Sequence, residues 1–196
     1  MKIIQQEAIV RENGKSAKMS GNILSKQHST GFKNGVRRIF ENELKSIYRT
    51  EKESMQILPW LIEEVNSEEL KGVLQYDLAV KKEQHKRLSA IFETIELPLL
   101  GKNCETINGL LRDTEIMLNE ITEEENEVRD AAIIAAVQRI QGFELASYST
   151  LCILSNALKM EDISLLLEST LKEEREVYDK LTEITETTLA LQASHY

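Results

Sequence analysis

NEVRDAAIIAAVQRIQGFELASYSTLCIL, residues 126–154, is the stretch that decides the fold. Ile133, Val137, Ile140, Tyr148 and Leu151 recur at helical spacing, and Ala131, Ala132, Ala135 and Ala136 keep the segment slim. At 1.5 Å per residue the helix is roughly 45 Å long. Its apolar face also carries Gln141 and Glu144, three residues apart, near the middle. A carboxylate in that position is costly unless it is paired, metal-bound or protonated. What Glu144 faces is therefore the functional question.

The rest of the chain supplies partners of the same kind. Two prolines, eight glycines and 5% aromatics among 196 residues, with long runs of Glu, Lys, Leu and Ile, indicate one all-α domain with a substantial core. No run of about 18 apolar residues is present to span a membrane, and residues 1–13 lack the apolar run of a signal peptide. Cys104 and Cys152 have no CxxC partner, so a disulfide or zinc site is not expected and the cytoplasm is the expected location. Cys152 lies in an apolar run and is expected to be protonated and inert, and Cys104 has no nearby His in sequence, which leaves nucleophilic catalysis without support.

The formal charge of −9 is uneven: residues 1–35 carry a net +4 and the remainder −13. An acidic body repels DNA phosphates, which argues against specific nucleic-acid binding. With four of the eight glycines and only short apolar pairs, 1–35 reads as a flexible basic N-terminal tail, 3–10 being the one part of it that could form a short helix or docking strand. The bundle is expected over 36–190, followed by a short C-terminal tail at 191–196.

Along the bundle, 36–65 reads as a helix with a stripe of Phe40, Leu44, Ile47, Tyr48, Met55, Leu58, Ile62 and Val65; Glu51 lies within it and Pro59 predicts a kink after Leu58. Ser67 is a good N-cap for the next helix, 68–95. There, Leu74, Leu78, Lys81, His85, Leu88, Phe92 and Ile95 step by alternating fours and threes, the rhythm of a bundle seam. Asp77, Val80 and Gln84 border that face. A shorter helix at 104–121 turns Ile107, Leu110, Leu111, Ile116 or Met117, and Leu118 inward. Residues 122–127 form an acidic turn into the central helix. The last helix, 162–189, repeats the pattern through Ile163, Leu167, Thr170, Leu171, Val177, Leu181 and Ile184, with Glu174 on its core face, Tyr178 a turn later and Glu173 rotated toward solvent. Four long helices and one short one predict an antiparallel four-helix bundle, the short helix lying in the crossover between the second and third long helices.

Glu51, Glu144 and Glu174 thus lie near mid-length on three apolar faces, with His85 on the fourth. Inward carboxylates from several helices, with a His, are how di-iron and di-manganese centres are built in bundle cores, and hard oxygens suit Fe or Mn. A metal-free arrangement is equally open. Lys81, one turn from His85, is placed to neutralise a glutamate, and a lone His on such a face also occurs as a hydrogen-bonded core residue.

The segments NEVRDAAIIAAVQRIQGFELASYSTL, CETINGLL, IYRTEKESMQILPWL and LLLESTLKEEREVYDKLTEI resemble the YciE/YciF family of bacterial ferritin-like proteins over roughly 40–186. The resemblance implies a ferritin-like fold, a homodimer, an association with stress responses and a di-iron function. The family's metal-type residues carry over in part. Glu51 of the Glu-Lys pair, Glu144, and Glu173 and Glu174 match. Gln141, Tyr178 and Val80 stand where carboxylates are expected, and Gln84 matches the Gln/His place with His85 adjacent. The expectation is therefore a stress-associated bundle with a degenerate di-metal site. A ferroxidase or oxidase using Glu51, His85, Glu144 and Glu174 to hold Fe or Mn is the alternative, and a pure interaction module with an acidic body and a basic tail is the third.

Overall fold

The computed structural model of the chain describes the backbone over 2–122 and 126–193 and the side chains over 31–122 and 126–187. Five helices follow in order: α1 Lys2–Glu64, α2 Glu68–Thr94, α3 Glu105–Asn119, α4 Asn126–Leu158 and α5 Glu161–Ala193. The described residues contain no strand. Two compact units divide the chain, Met1–Ile39 and Phe40–Tyr196; the first is helical from Lys2, and the second is the bundle. Residues 1–35, expected as a flexible basic tail with a short helix or docking strand at most over 3–10, are helical from Lys2, and the first unit extends to Ile39. The first proline of the chain is Pro59, so no missing N–H interrupts the ladder before it, and each leader glycine weakens a helix by only about 1 kcal/mol relative to Ala. α1 continues through Pro59. At the other end α5 reaches Ala193, beyond the expected boundary at 190, and 194–196 lie outside the described residues, as do 123–125 of the acidic turn.

The turns set the helix directions. Ser67 caps α2 as expected, its hydroxyl accepting from the Leu70 amide at 3.3 Å. The Asp130 carboxylate, at the start of α4, accepts from the Asn66 and Ser67 amides at 2.9 and 2.8 Å, which brings that start to the α1–α2 turn. α2 and α4 therefore both leave from this end, while α1 and α5 arrive at it with Leu61, Val65, Leu181 and Ile184 in one cluster with Leu70, Leu74 and Ile133. Two helices that run the same way need a long return between them. α3 provides it, packing Ile107 against Ile140 of α4 and delivering Leu118 to the cluster at the turn end. This is the antiparallel, ferritin-like four-helix bundle with an extra crossover helix. Met117 rather than Ile116 takes the inner place on α3, since Ile116 is exposed.

Two helix ends use the left-handed region without glycine: Glu96 after α2, at φ 56°, and Lys159 after α4, at φ 59°. In each the helix closes with the paired carbonyl contacts of a Schellman end, Leu97 N–H to Phe92 O and Glu96 N–H to Glu93 O, then Met160 N–H to Ser155 O and Lys159 N–H to Asn156 O. In the crossover, Gly101 lies so close to α1 that a Cβ there would stand 3.0 Å from Arg49 Cβ and 3.3 Å from its Cα. The adjacent Lys102 amide donates to the Lys45 carbonyl at 2.9 Å. That close approach explains the glycine.

Phe40, Leu44, Ile47, Leu58 and Val65 of the α1 stripe and Leu74, Lys81, Leu88 and Phe92 of the α2 stripe are buried as expected, and the faces depart from the stripes at four places. Ser54 and Leu61 are buried where Met55 and Ile62 were expected, and Asp77 and Gln84 where Leu78 and His85 were expected. The α4 face is as read.

Candidate buried polar site

At mid-bundle the apolar core gives way to charge. Glu51 of α1, Lys81 of α2, Glu144 of α4 and Glu174 of α5 are each at most 1% exposed. The Lys81 ammonium occupies the middle of the group: its Nζ donates to Glu144 Oε2 at 2.8 Å and Glu174 Oε1 at 3.0 Å, and stands 3.6 Å from Glu51 Oε2. The outer carboxylate oxygens have neutral donors. Ser54 Oγ donates to Glu144 Oε1 at 2.7 Å, and the Tyr148 hydroxyl to Glu51 Oε1 at 2.7 Å. Glu174 Oε2 has no hydrogen-bond partner.

Asp77 and Gln141 lie a turn nearer the α1–α2 connection and are equally buried. Neither Asp77 oxygen has a hydrogen-bond partner, nor does either polar atom of the Gln141 amide. Gln141 is near enough to favour the ionised form of Asp77, yet no well-formed hydrogen bond joins them. On the opposite side Gln84 Nε2 reaches Glu173 Oε2 at 3.4 Å. Glu173 is not free in solvent as expected: Arg87 grips it with Nη1 and Nη2 at 2.8 and 2.6 Å and also donates to Thr170.

Electrostatics follow from this count of one cation to four carboxylates. Burial pushes Glu51, Asp77, Glu144 and Glu174 up from the ordinary carboxylate range to about 7, against the pull of Lys81. Burial alone would lower Lys81, but Glu144, Glu174, Glu51 and Asp77 outweigh it and hold the ammonium well above its ordinary value. Burial, joined by the Glu51 charge, also raises Tyr148, so its hydroxyl keeps the proton it donates. The ammonium therefore keeps its proton at neutral pH.

The structure brings together Glu51, Glu144 and Glu174 of the expected metal set. It does not bring His85 to them. That ring is half-buried and stacked on Tyr48, with centroids 4.4 Å apart, and its Nδ1 has no hydrogen-bond partner. Burial and nearby Lys52 lower its pKa. The physical reason is helical phase: Asp77, Lys81 and Gln84 face inward together, which turns residue 85 about 100° away from Gln84. Asp77 was seen in the sequence only as a flanking residue, and Ser54 was not seen at all. Leu74, Asp77, Lys81, Gln84 and Leu88 also step by three and four, so the signal was present beside a more apolar competitor.

The donor set can be tested against iron or manganese directly. Ferritin-like di-metal centres take a Glu from each of two helices and a Glu-x-x-His from each of the other two. Here α1 and α4 offer Glu51 and Glu144. α5 offers Glu174 followed three residues on by Val177, and α2 offers Lys81 followed by Gln84. Both histidines are missing, and an ammonium stands where a carboxylate is needed, within hydrogen-bonding distance of two of the remaining glutamates. Among the described residues no three His, Cys, Asp or Glu side chains are set to hold a metal ion. The residues do not fit a di-metal group.

Of the two cysteines, Cys152 is pushed up to about 11 by burial and by Glu168. Burial raises Cys104 too, but the amides of Ile107 and Thr106 and the hydroxyls of Ser46 and Thr50 outweigh it and hold the thiol below its ordinary value. No helix among the described residues is long and apolar enough to cross a membrane.

Comparison with known proteins agrees with this architecture. Residues 35–194 match the family described as Domain of unknown function (DUF892). Protein YciF of Escherichia coli strain K12 is 33% identical over 149 residues, covering 74% of this chain and 87% of YciF. The crystal structure of the E. coli stress protein YciF superposes with a TM-score of 0.74 at 30% identity, covering 79% of this chain and 97% of that one. YcfI of Rhodopseudomonas palustris gives a TM-score of 0.72 at 30% identity, covering 75% and 92%.

Proposed function

Since the chain belongs to the YciF-like DUF892 family, we propose that it is a stress-associated, non-catalytic ferritin-like bundle in which a lysine ammonium takes the place of a di-metal centre. The observation that carries this reading is the position of Lys81 Nζ, 2.8, 3.0 and 3.6 Å from Glu144, Glu174 and Glu51. A buried carboxylate cluster needs positive charge at its centre. Iron or manganese supplies it in a working centre, and Lys81 supplies it here without redox chemistry or an open coordination position. We place the protein in the cytoplasm as a homodimer; its relative YciF is a stress protein.

The experiment is elemental analysis of untagged protein purified from iron- and manganese-supplemented medium and then loaded anaerobically with Fe(II). The expected result is well below one metal per chain, with no difference in Fe(II) oxidation between the wild type and Glu144→Ala. Two metals per chain, or oxidation that depends on Glu144, would overturn the proposal. Size-exclusion chromatography with light scattering tests the dimer.

A further inference from the structure

Ser54, Asp77, Lys81 and Gln141, with Leu58, Leu61, Val137 and Ile140 around them, line a cavity of about 10 Å³. The polar members form one layer below the lysine cluster. Ser54 is three residues beyond Glu51 on α1, Asp77 is four before Lys81 on α2, and Gln141 is three before Glu144 on α4. Asp77 and Gln141 are at most 1% exposed, and four polar atoms between them have no hydrogen-bond partner. Leaving even one such group unsatisfied costs about 1–3 kcal/mol. Buried polar groups in folded proteins are paired with protein or with ordered water.

From this geometry we propose that the cavity is a binding site for one internal water molecule, which joins Asp77 to Gln141. A void of roughly 10–15 Å³ on this measure holds one water and no larger ligand, provided two to four polar partners are within reach. A water can donate to an Asp77 oxygen and accept from the Gln141 amide nitrogen, satisfying groups that need opposite partners. It leaves the Ser54 hydroxyl free to keep its bond to Glu144. A metal ion is disfavoured because the Lys81 ammonium lines the same cavity.

A high-resolution crystal structure of the full chain tests this directly. The expected result is one density peak within about 2.7–3.2 Å of both an Asp77 oxygen and the Gln141 nitrogen. A dry cavity, or a peak with anomalous signal at about 2.0–2.4 Å from oxygen as for a metal, would overturn it. In solution, oxygen-17 relaxation dispersion counts long-lived internal waters. The Gln141→Met variant is expected to hold one fewer than the wild type, and an equal count refutes the site.

Discussion

Replacing Lys81 by Met removes the cation that stands against Glu51, Glu144 and Glu174 while nearly preserving side-chain volume. Two routes then remain to the folded state. The carboxylates can stay ionised without a counter-charge, and breaking a buried pair in that way costs about 3–5 kcal/mol. Alternatively one of them takes up a proton. A carboxylate with an ordinary value of 4.5 resists protonation by about 3 kcal/mol at pH 7 and by under about 1 kcal/mol at pH 5. The loss is therefore expected to be about 3–5 kcal/mol at pH 7.5 and only about 1 kcal/mol at pH 5. For a chain of this length that is a fall in Tm of roughly 6–20 °C at the higher pH. The wild type should show the same sign. Its four carboxylates titrate near 7 when folded and near their ordinary values when unfolded, so the folded state holds more protons between those limits. Their contribution is greatest at low pH and is lost as pH rises from about 4.5 to about 7. Urea denaturation of both proteins at pH 5 and 7.5 measures the difference. A Lys81→Met protein as stable as the wild type at pH 7.5, or one that loses stability on acidification from 7.5 to 5, would refute the charge argument.

Three further substitutions test the frame around the site. Tyr148→Phe removes the donor to Glu51 Oε1 and should cost about 1–3 kcal/mol by thermal denaturation, because the oxygen left behind is buried. Lys159→Gly should raise stability by about 1 kcal/mol, since the residue sits at φ 59° where a side chain is strained; a decrease in urea midpoint would show that the lysine makes a compensating contact. Gly101→Ala should destabilise by about 1–3 kcal/mol, because its Cβ meets the Arg49 backbone and Cβ of a rigid helix, and unchanged stability would mean that the crossover moves freely.

The bundle was legible because each long helix states its own period and each turn its own stop. Ser67 marks the α1–α2 turn, and residues 126–154 declare a helix with few glycines and no proline. The site was legible where a charged residue interrupts an otherwise apolar stripe, as Glu51, Lys81, Glu144 and Glu174 do. On α2 two seams compete. Leu74, Leu78, Lys81, His85, Leu88 and Phe92 form one, and Leu74, Asp77, Lys81, Gln84, Leu88 and Ile91 form the other. They share Leu74, Lys81 and Leu88, and hydrophobicity alone prefers the first. The structure takes the second, burying Asp77 and Gln84. Gln84 meets Glu173 of α5, while neither Asp77 oxygen has a hydrogen-bond partner, and a linear pattern records neither. The register also changes the chemistry that can be read from the chain. With Lys81 and Gln84 inward, α2 presents a charge-reversed, histidine-free counterpart of Glu-x-x-His, and α5 presents Glu174 with Val177. Restoring one ligand would therefore leave the ammonium against Glu144 and Glu174; an exchange of the ammonium itself is the smallest change that could reopen the centre to a cation.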